Sequence, residues 1–179
     1  MHPRPTLEAF DQFLHARDLR TEAVIIGGTA LVLLGVIERA TRDVDVLAPE
    51  LSPIVLESAR AFAREQRDRG VDLADDWLNN GPSLLGDALP SGWRERTERV
   101  FTGRALRLDT LGRMDLLRSK LFALCDRGTD LLDCLALKPD EAEIDQILPW
   151  LADQDGNPDW PAYVRQVLTD LRRRLHHAL

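Results

Sequence analysis

An apolar run, Ala23-Val24-Ile25-Ile26, passes through Gly27-Gly28-Thr29 directly into a second apolar stretch, Ala30-Leu31-Val32-Leu33-Leu34-Gly35-Val36-Ile37. The first run has the length of a buried strand, the second the length and composition of a buried helix. A chain that changes from strand to helix within two residues needs backbone freedom at the junction, which the glycine pair supplies. Beyond it, Thr41-Arg42-Asp43-Val44-Asp45-Val46-Leu47 alternates polar and apolar residues, the pattern of a half-buried strand.

Side chains alternate between faces along a strand, so Asp43 and Asp45 share one face and Val44 and Val46 point to the other. Same-face neighbours lie roughly 6–7 Å apart at Cα, close enough for both carboxylates to converge on a divalent cation. Without a cation they repel, and one tends to stay protonated. An exposed strand face would explain Asp-x-Asp alone. The glycine turn tips the balance: bare backbone lets a ligand come close, and the N-terminus of the next helix offers unpaired N–H groups and a positive dipole end to phosphate. This sequence predicts a metal site beside a phosphate-binding turn.

At 179 residues and 44% hydrophobic content, the chain can bury a real core as one domain, or as a domain with a helical appendage. No apolar run approaches the roughly 20 residues of a membrane span. The start, Met1-His2-Pro3-Arg4-Pro5, lacks the apolar segment of a secretory signal, so a cytoplasmic protein without membrane partners is expected. A net charge of −7 argues against a surface coated with cations for wrapping duplex nucleic acid. The stretch from Arg94 to Lys120 is locally basic and could meet a triphosphate or an RNA backbone, or simply be a solvated face. Arg172-Arg173-Arg174 reads as a solvated helix end. Cys125 and Cys134 lack metal-ligand spacing and read as reduced, half-buried thiols. The glycine turn lacks the G-x-G-x-x-G spacing of a dinucleotide-binding domain.

Along the chain, helices are predicted at about 6–18, 29–37 and 53–68, with strands at 23–26, 42–48 and 104–108. The stretch Val71–Pro82 carries a short strand or a helical turn. From Thr110 the pattern is helical, with helices to about Cys125, from 129 to 137, from Pro139-Asp140 to Leu151, and from Trp160 onward. The fold class is α/β in the α+β sense: a mixed sheet flanked by helices over residues 1–110, and a helical portion over 111–179 packed on it. On its helix Lys120 shares a face with Leu117 and Leu124, bordering the buried stripe. It either snorkels to water or holds a point charge toward a phosphate. Asp130 and Asp133 share a face of the next helix.

These residues together resemble the nucleotidyltransferase superfamily whose core is shared with DNA polymerase beta. More narrowly, they resemble the bacterial group that includes the AbiE-type toxin nucleotidyltransferases. The resemblance rests on Ile26-Gly27-Gly28-Thr29-Ala30-Leu31 with Arg39-Ala40-Thr41-Arg42-Asp43-Val44-Asp45-Val46-Leu47, on Asp76-Trp77-Leu78-Asn79, and on Lys120–Leu124 running into Arg127–Asp133. It implies transfer of a nucleoside monophosphate from an NTP, with pyrophosphate leaving. The acceptor would be tRNA or another RNA, a protein or a small molecule, and a cognate antitoxin would be a partner. By similarity, Asp43 and Asp45 hold Mg²⁺ or Mn²⁺, and Gly27, Gly28 and Thr29 cradle the β- and γ-phosphates. Lys120 neutralises the triphosphate, and Asp130 is the further carboxylate. Where many members carry serine after the first glycine, Gly28 leaves only Thr29 to offer a hydroxyl. The usual third carboxylate has two candidates here, Asp109 and Asp130. A nucleotide- or partner-binding module of the same fold without turnover is the alternative.

Overall fold

The computed structural model describes residues 1–177. The chain divides into two compact units: Met1–Asp87 with Ser91–Gly112, and Ala88–Pro90 with Arg113 onward. The first holds α1 (Pro3–His15), β1 (Thr21–Ile26), α2 (Gly27–Leu33), β2 (Val44–Ala48), α3 (Pro53–Asp68), β3 (Leu78–Asn79), a single helical turn α4 (Leu85–Ala88), β4 (Glu98–Thr102) and β5 (Leu106–Thr110). The five strands form one sheet in the order β3-β2-β1-β5-β4. The pairs β1–β2 and β4–β5 are antiparallel, while β1–β5 and β2–β3 are parallel. The sheet is therefore mixed, as the sequence predicts.

One face of the sheet is the core. Ile25, Val44, Val46, Leu106 and Leu108 pack there with Leu7, Phe10, Phe13 and Leu14 of α1 and Val55, Ala59, Phe62 and Ala63 of α3. These helical residues recur at three- and four-residue spacings, the stripe an amphipathic helix buries. Trp77 fills the middle, edge-on to Phe10 at 5.1 Å between ring centroids and 5.7 Å from Phe62. Its indole N–H donates to the Ala59 carbonyl at 3.1 Å. That anchor fixes the two residues that follow, Leu78 and Asn79, as a strand beside β2.

Asp11 of α1 closes the far end of the sheet. Its carboxylate accepts from the backbone N–H groups of Arg104, Ala105 and Leu106 at 2.8–3.1 Å. Burial pushes its pKa up, but these three bonds to the charged form outweigh it and hold the carboxyl below its ordinary value.

Several boundaries differ from expectation for local reasons. Helix α2 starts at the glycine pair and ends at Leu33, short of residue 37. The chain leaves it through Gly35 at φ +73°, with Gly35 N–H bonded to Val32 and Val36 N–H to Leu31, the glycine-terminated helix end. Strand β2 starts at Val44, so Asp43 stands just before it. Strand β4 was not foreseen, because Glu98-Arg99-Val100-Phe101-Thr102 is mostly polar and lies at a sheet edge, where only one residue is buried.

The second unit contains α5 (Arg113–Arg127), α6 (Leu131–Leu137), α7 (Glu141–Ala152) and α8 (Trp160–His177). A capping box starts α7: the Asp140 side chain accepts from Glu143 N–H, and the Glu143 side chain accepts from Asp140 N–H. Glu143 also takes Arg113 in a two-pronged pair at 2.6 and 2.9 Å. Leu117, Leu121, Ile144, Ile147, Val164, Leu168 and Leu171 are buried. Thus the apolar face of α8 lies largely inside the fold. Cys125 and Cys134 are free thiols and wholly buried, deeper than expected. Burial pushes their pKa values up to about 11 and about 12, so both stay protonated and unreactive at neutral pH.

Candidate active site

Asp45 lies mid-strand on the sheet face opposite the core, since its neighbours Val44 and Val46 are buried. In the ladder it stands across from Ile26, the last residue before the glycine turn. This register brings the carboxylate over the turn. A Cβ added to Gly27 would lie 2.6 Å from Asp45 Oδ2, so any side chain here would have to displace that carboxylate. Gly27 also has φ +79°, a conformation that side chains disfavour. Close approach and backbone freedom coincide at one residue, the reason a strand here can turn straight into a helix.

Asp43 is half-buried. Its carbonyl accepts from the Thr29 hydroxyl at 2.6 Å. Among the described residues its carboxylate makes no hydrogen bond or ion pair, which leaves it available to a ligand. Thr29 is almost fully buried and also meets the Thr41 hydroxyl at 2.9 Å. A hydroxyl has one proton to give, and Thr29 gives it to Asp43. The Thr29 hydroxyl is thus engaged with the Asp43 carbonyl.

Three residues enter the site that the sequence reading did not assign to it. Asn79 on β3 is the register partner of Asp45, and its Nδ2 donates to Asp45 Oδ1 at 3.2 Å. Arg39 reaches the turn, with Nη2 3.7 Å from where a Gly28 Cβ would stand. Thr41 closes the Thr29 pair. All three lie in the stretches that carry the resemblance, and their polar character beside apolar anchors was the available signal.

Two carboxylates of this kind suit a divalent cation. Magnesium favours hard oxygen donors and is usually held by one or two carboxylates, with waters and substrate phosphates completing its shell. Asp43 and Asp45 would be its protein ligands. Among the described residues no group of three or more His, Cys, Asp or Glu side chains is arranged to hold a metal by itself.

The other predicted residues lie in the second unit. Lys120 is only 4% exposed, so it does not snorkel. Its Nζ donates to Asp133 Oδ2 at 2.8 Å and Asp130 Oδ2 at 3.2 Å. Asp133 is buried and Asp130 more open, with side-chain exposures of 3% and 28%. The three groups together carry one net negative charge. Asp109, the other candidate for a third carboxylate, is bound by Arg99, and its strand is separated from β2 by β1. It does not join the aspartate pair.

The basic middle stretch is largely used internally. Arg107 pairs with Glu22, Arg113 with Glu143 and Arg118 with Asp115, while Arg94 stacks on Trp93. This argues for structural ion pairs over a broad nucleic-acid footprint. The C-terminal arginines pair similarly, Arg172 with Glu141 and Asp145, and Arg173 and Arg174 with Asp170.

Residues 6–139 match a family described as nucleotidyltransferase of unknown function (DUF6036). The chain belongs to that family. The match covers the glycine turn, Asp43, Asp45, Asn79, Lys120, Asp130 and Asp133. Nucleotidyl transfer is the reaction class that gives this nucleotidyltransferase family its description, and a nucleotide is the substrate class it implies. No curated protein and no solved structure matches the chain. Among the described residues no helix is long and apolar enough to cross a membrane.

Proposed function

We propose that the protein transfers a nucleoside monophosphate from an NTP to an acceptor in a reaction that depends on Mg²⁺ or Mn²⁺ held by Asp43 and Asp45. The observation that carries this reading is the seating of Asp45 over the side-chain-free Cα of Gly27, with Asp43 two residues before it. The Asp45 carboxylate and a bare backbone turn share one place, which is what binding a metal-complexed triphosphate needs.

In the reaction, an acceptor hydroxyl gives its proton to water and its oxygen bonds to the α-phosphorus. The bond from that phosphorus to the β-phosphate oxygen breaks, and pyrophosphate leaves with the electron pair. A bound divalent cation would supply charge neutralisation at the attacking and leaving oxygens. The chain supplies position and charge. The Gly27-Gly28 turn would admit the phosphates, the Arg39 guanidinium stands beside Gly28, and the Thr29 hydroxyl binds the Asp43 carbonyl. The resemblance adds roles for Lys120 at the triphosphate and for Asp130 as the further carboxylate, and within their own unit the two are paired with each other.

The AbiE-type resemblance supports an RNA such as tRNA as the acceptor to test first, and a toxin–antitoxin pair as the setting. The test incubates the purified protein and its Asp43→Ala variant with each α-labelled NTP, Mg²⁺ and total bacterial RNA, then separates RNA, protein and small-molecule fractions. Label in one fraction that is absent with the variant establishes transfer and names the acceptor class. Transfer that survives Asp43→Ala would overturn the assignment. Nucleotide and Mg²⁺ binding with no label in any fraction favours a binding module of the same fold.

A further inference from the structure

The strand beside β2 presents an amide to Asp45. Asn79 stands in register with Asp45 across the parallel β2–β3 pair, and Trp77, wholly buried, fixes that strand by its bond to Ala59. The orientation of the Asn79 amide is determined by its neighbours. Gly81 N–H donates to Asn79 Oδ1 at 2.7 Å, so the oxygen faces Gly81 and the NH₂ group faces Asp45, which it meets at 3.2 Å. The Asp76 carbonyl lies on the same NH₂ group at 3.5 Å. A flipped amide would set its NH₂ against the Gly81 donor and its oxygen against the Asp45 carboxylate. Asp45 is thus held from two sides, by a donor at Oδ1 and by the bare Gly27 Cα at Oδ2.

We infer that Asn79 is a positioning residue that fixes Asp45 without adding a charge beside it, so that a divalent cation binds with the phosphates of an NTP and only weakly without them. The inference rests on the proposed reading of Asp43 and Asp45 as the metal ligands. An acidic side chain at position 79 would set a third carboxylate within hydrogen-bond distance of Asp45. Three such charges repel unless a cation joins them, and a site with more negative ligands binds a bare cation more tightly. The amide does the opposite. It orients Asp45 through a hydrogen bond, adds no charge, and leaves most of the coordination shell to waters and phosphate oxygens.

The test compares wild type, Asn79→Asp and Asn79→Ala by thermal melting in EDTA and in Mn²⁺. It adds calorimetric titration of Mn²⁺ alone, and of Mn²⁺ with a non-hydrolysable NTP analogue. Asn79→Asp is expected to melt about 5 °C lower than wild type in EDTA, and to recover in Mn²⁺. It should bind Mn²⁺ alone about tenfold more tightly, or better. Asn79→Ala is expected to lose about 10–100-fold in affinity for the Mn²⁺–nucleotide complex without gaining affinity for Mn²⁺ alone. A purely structural asparagine would give a melting change that Mn²⁺ does not correct. The inference is overturned if Asn79→Asp melts like wild type in EDTA and binds Mn²⁺ no better, or if wild type binds Mn²⁺ as tightly without nucleotide as with it. The EDTA and Mn²⁺ results need no nucleotide. Wild type that ignores the nucleotide complex, while Asn79→Asp is rescued by Mn²⁺, would overturn the nucleotide reading and leave the Asn79–Asp45 geometry confirmed.

Discussion

The Thr29 hydroxyl donates to the Asp43 carbonyl across 2.6 Å, tying the first turn of α2 to the residue that leads into β2. Thr29→Val keeps the shape but removes the donor, leaving a half-buried carbonyl without its partner at a cost of about 1–3 kcal/mol. The midpoint of urea unfolding should fall accordingly, and transfer should fall further because Asp43 loses its anchor. Thr29→Ser keeps the hydroxyl and should restore most of both. A valine variant as active as the serine variant would show that this bond does not position the site.

Gly27 and Gly35 flank α2 and both have positive φ, yet they differ in surroundings. A Cβ at Gly27 meets Asp45 Oδ2 at 2.6 Å, while a Cβ at Gly35 meets nothing within 4 Å. Gly35→Ala should cost only the strain of the left-handed backbone, about 1–2 kcal/mol, and leave nucleotide binding intact. Gly27→Ala adds displacement of Asp45. Melting curves and a nucleotide-binding titration on the two variants separate strain from steric exclusion: equal loss of binding in both would contradict the close-approach argument.

Lys120 faces two carboxylates, and its own side chain and that of Asp133 are nearly inaccessible. Lys120→Met removes the cation and leaves buried negative charge behind, which costs about 3–5 kcal/mol. Asp130 is more open, so Asp130→Asn should cost less than about 1 kcal/mol. Denaturant unfolding should rank the two variants in that order. If Lys120 and Asp130 also serve transfer, Asp130→Asn will lose activity while remaining folded. Full activity in that variant would confine Asp130 to holding α5 and α6 together.

Asp11 accepts three backbone N–H groups, and its native pKa lies below the ordinary carboxyl value. Its stabilisation is therefore complete above the ordinary carboxyl range. It declines as pH falls through that range toward the lowered native value, because the unfolded chain takes up the proton first. Asp11→Asn should be less stable at neutral pH and lose less further stability between about pH 5 and about pH 2 than wild type. Parallel acid limbs for the two proteins would show that Asp11 does not contribute this dependence.

The facing of Asp45 was legible because a period of two is a local property: buried Val44 and Val46 put Asp45 on the other face of the strand, while Asp43 lies just before it. Pro53–Asp68 and the Asp140 cap of α7 were legible for the same kind of reason, since a helix start and its apolar stripe are written within a few residues. The sequence places Lys120 at the border of a buried stripe but does not show its partners, because Asp133 and Asp130 reach it only once α6 folds against α5. The two-residue strand β3 and the polar edge strand β4 are too short or too polar for periodicity to show.

By itself the sequence determined the strand, the glycine turn, the start of the helix and the facing of Asp45, all set by neighbours a few residues apart through sterics and alternation. Only the tertiary structure decided which residues complete the site. Asn79 lies 34 positions from Asp45 and meets it because β3 pairs in parallel with β2, and Thr29 reaches Asp43 because α2 packs back against that strand. Those contacts depend on strand order and register, which are fixed by burial of one sheet face under α1 and α3 and by the Trp77 anchor, and no local pattern in the chain encodes them.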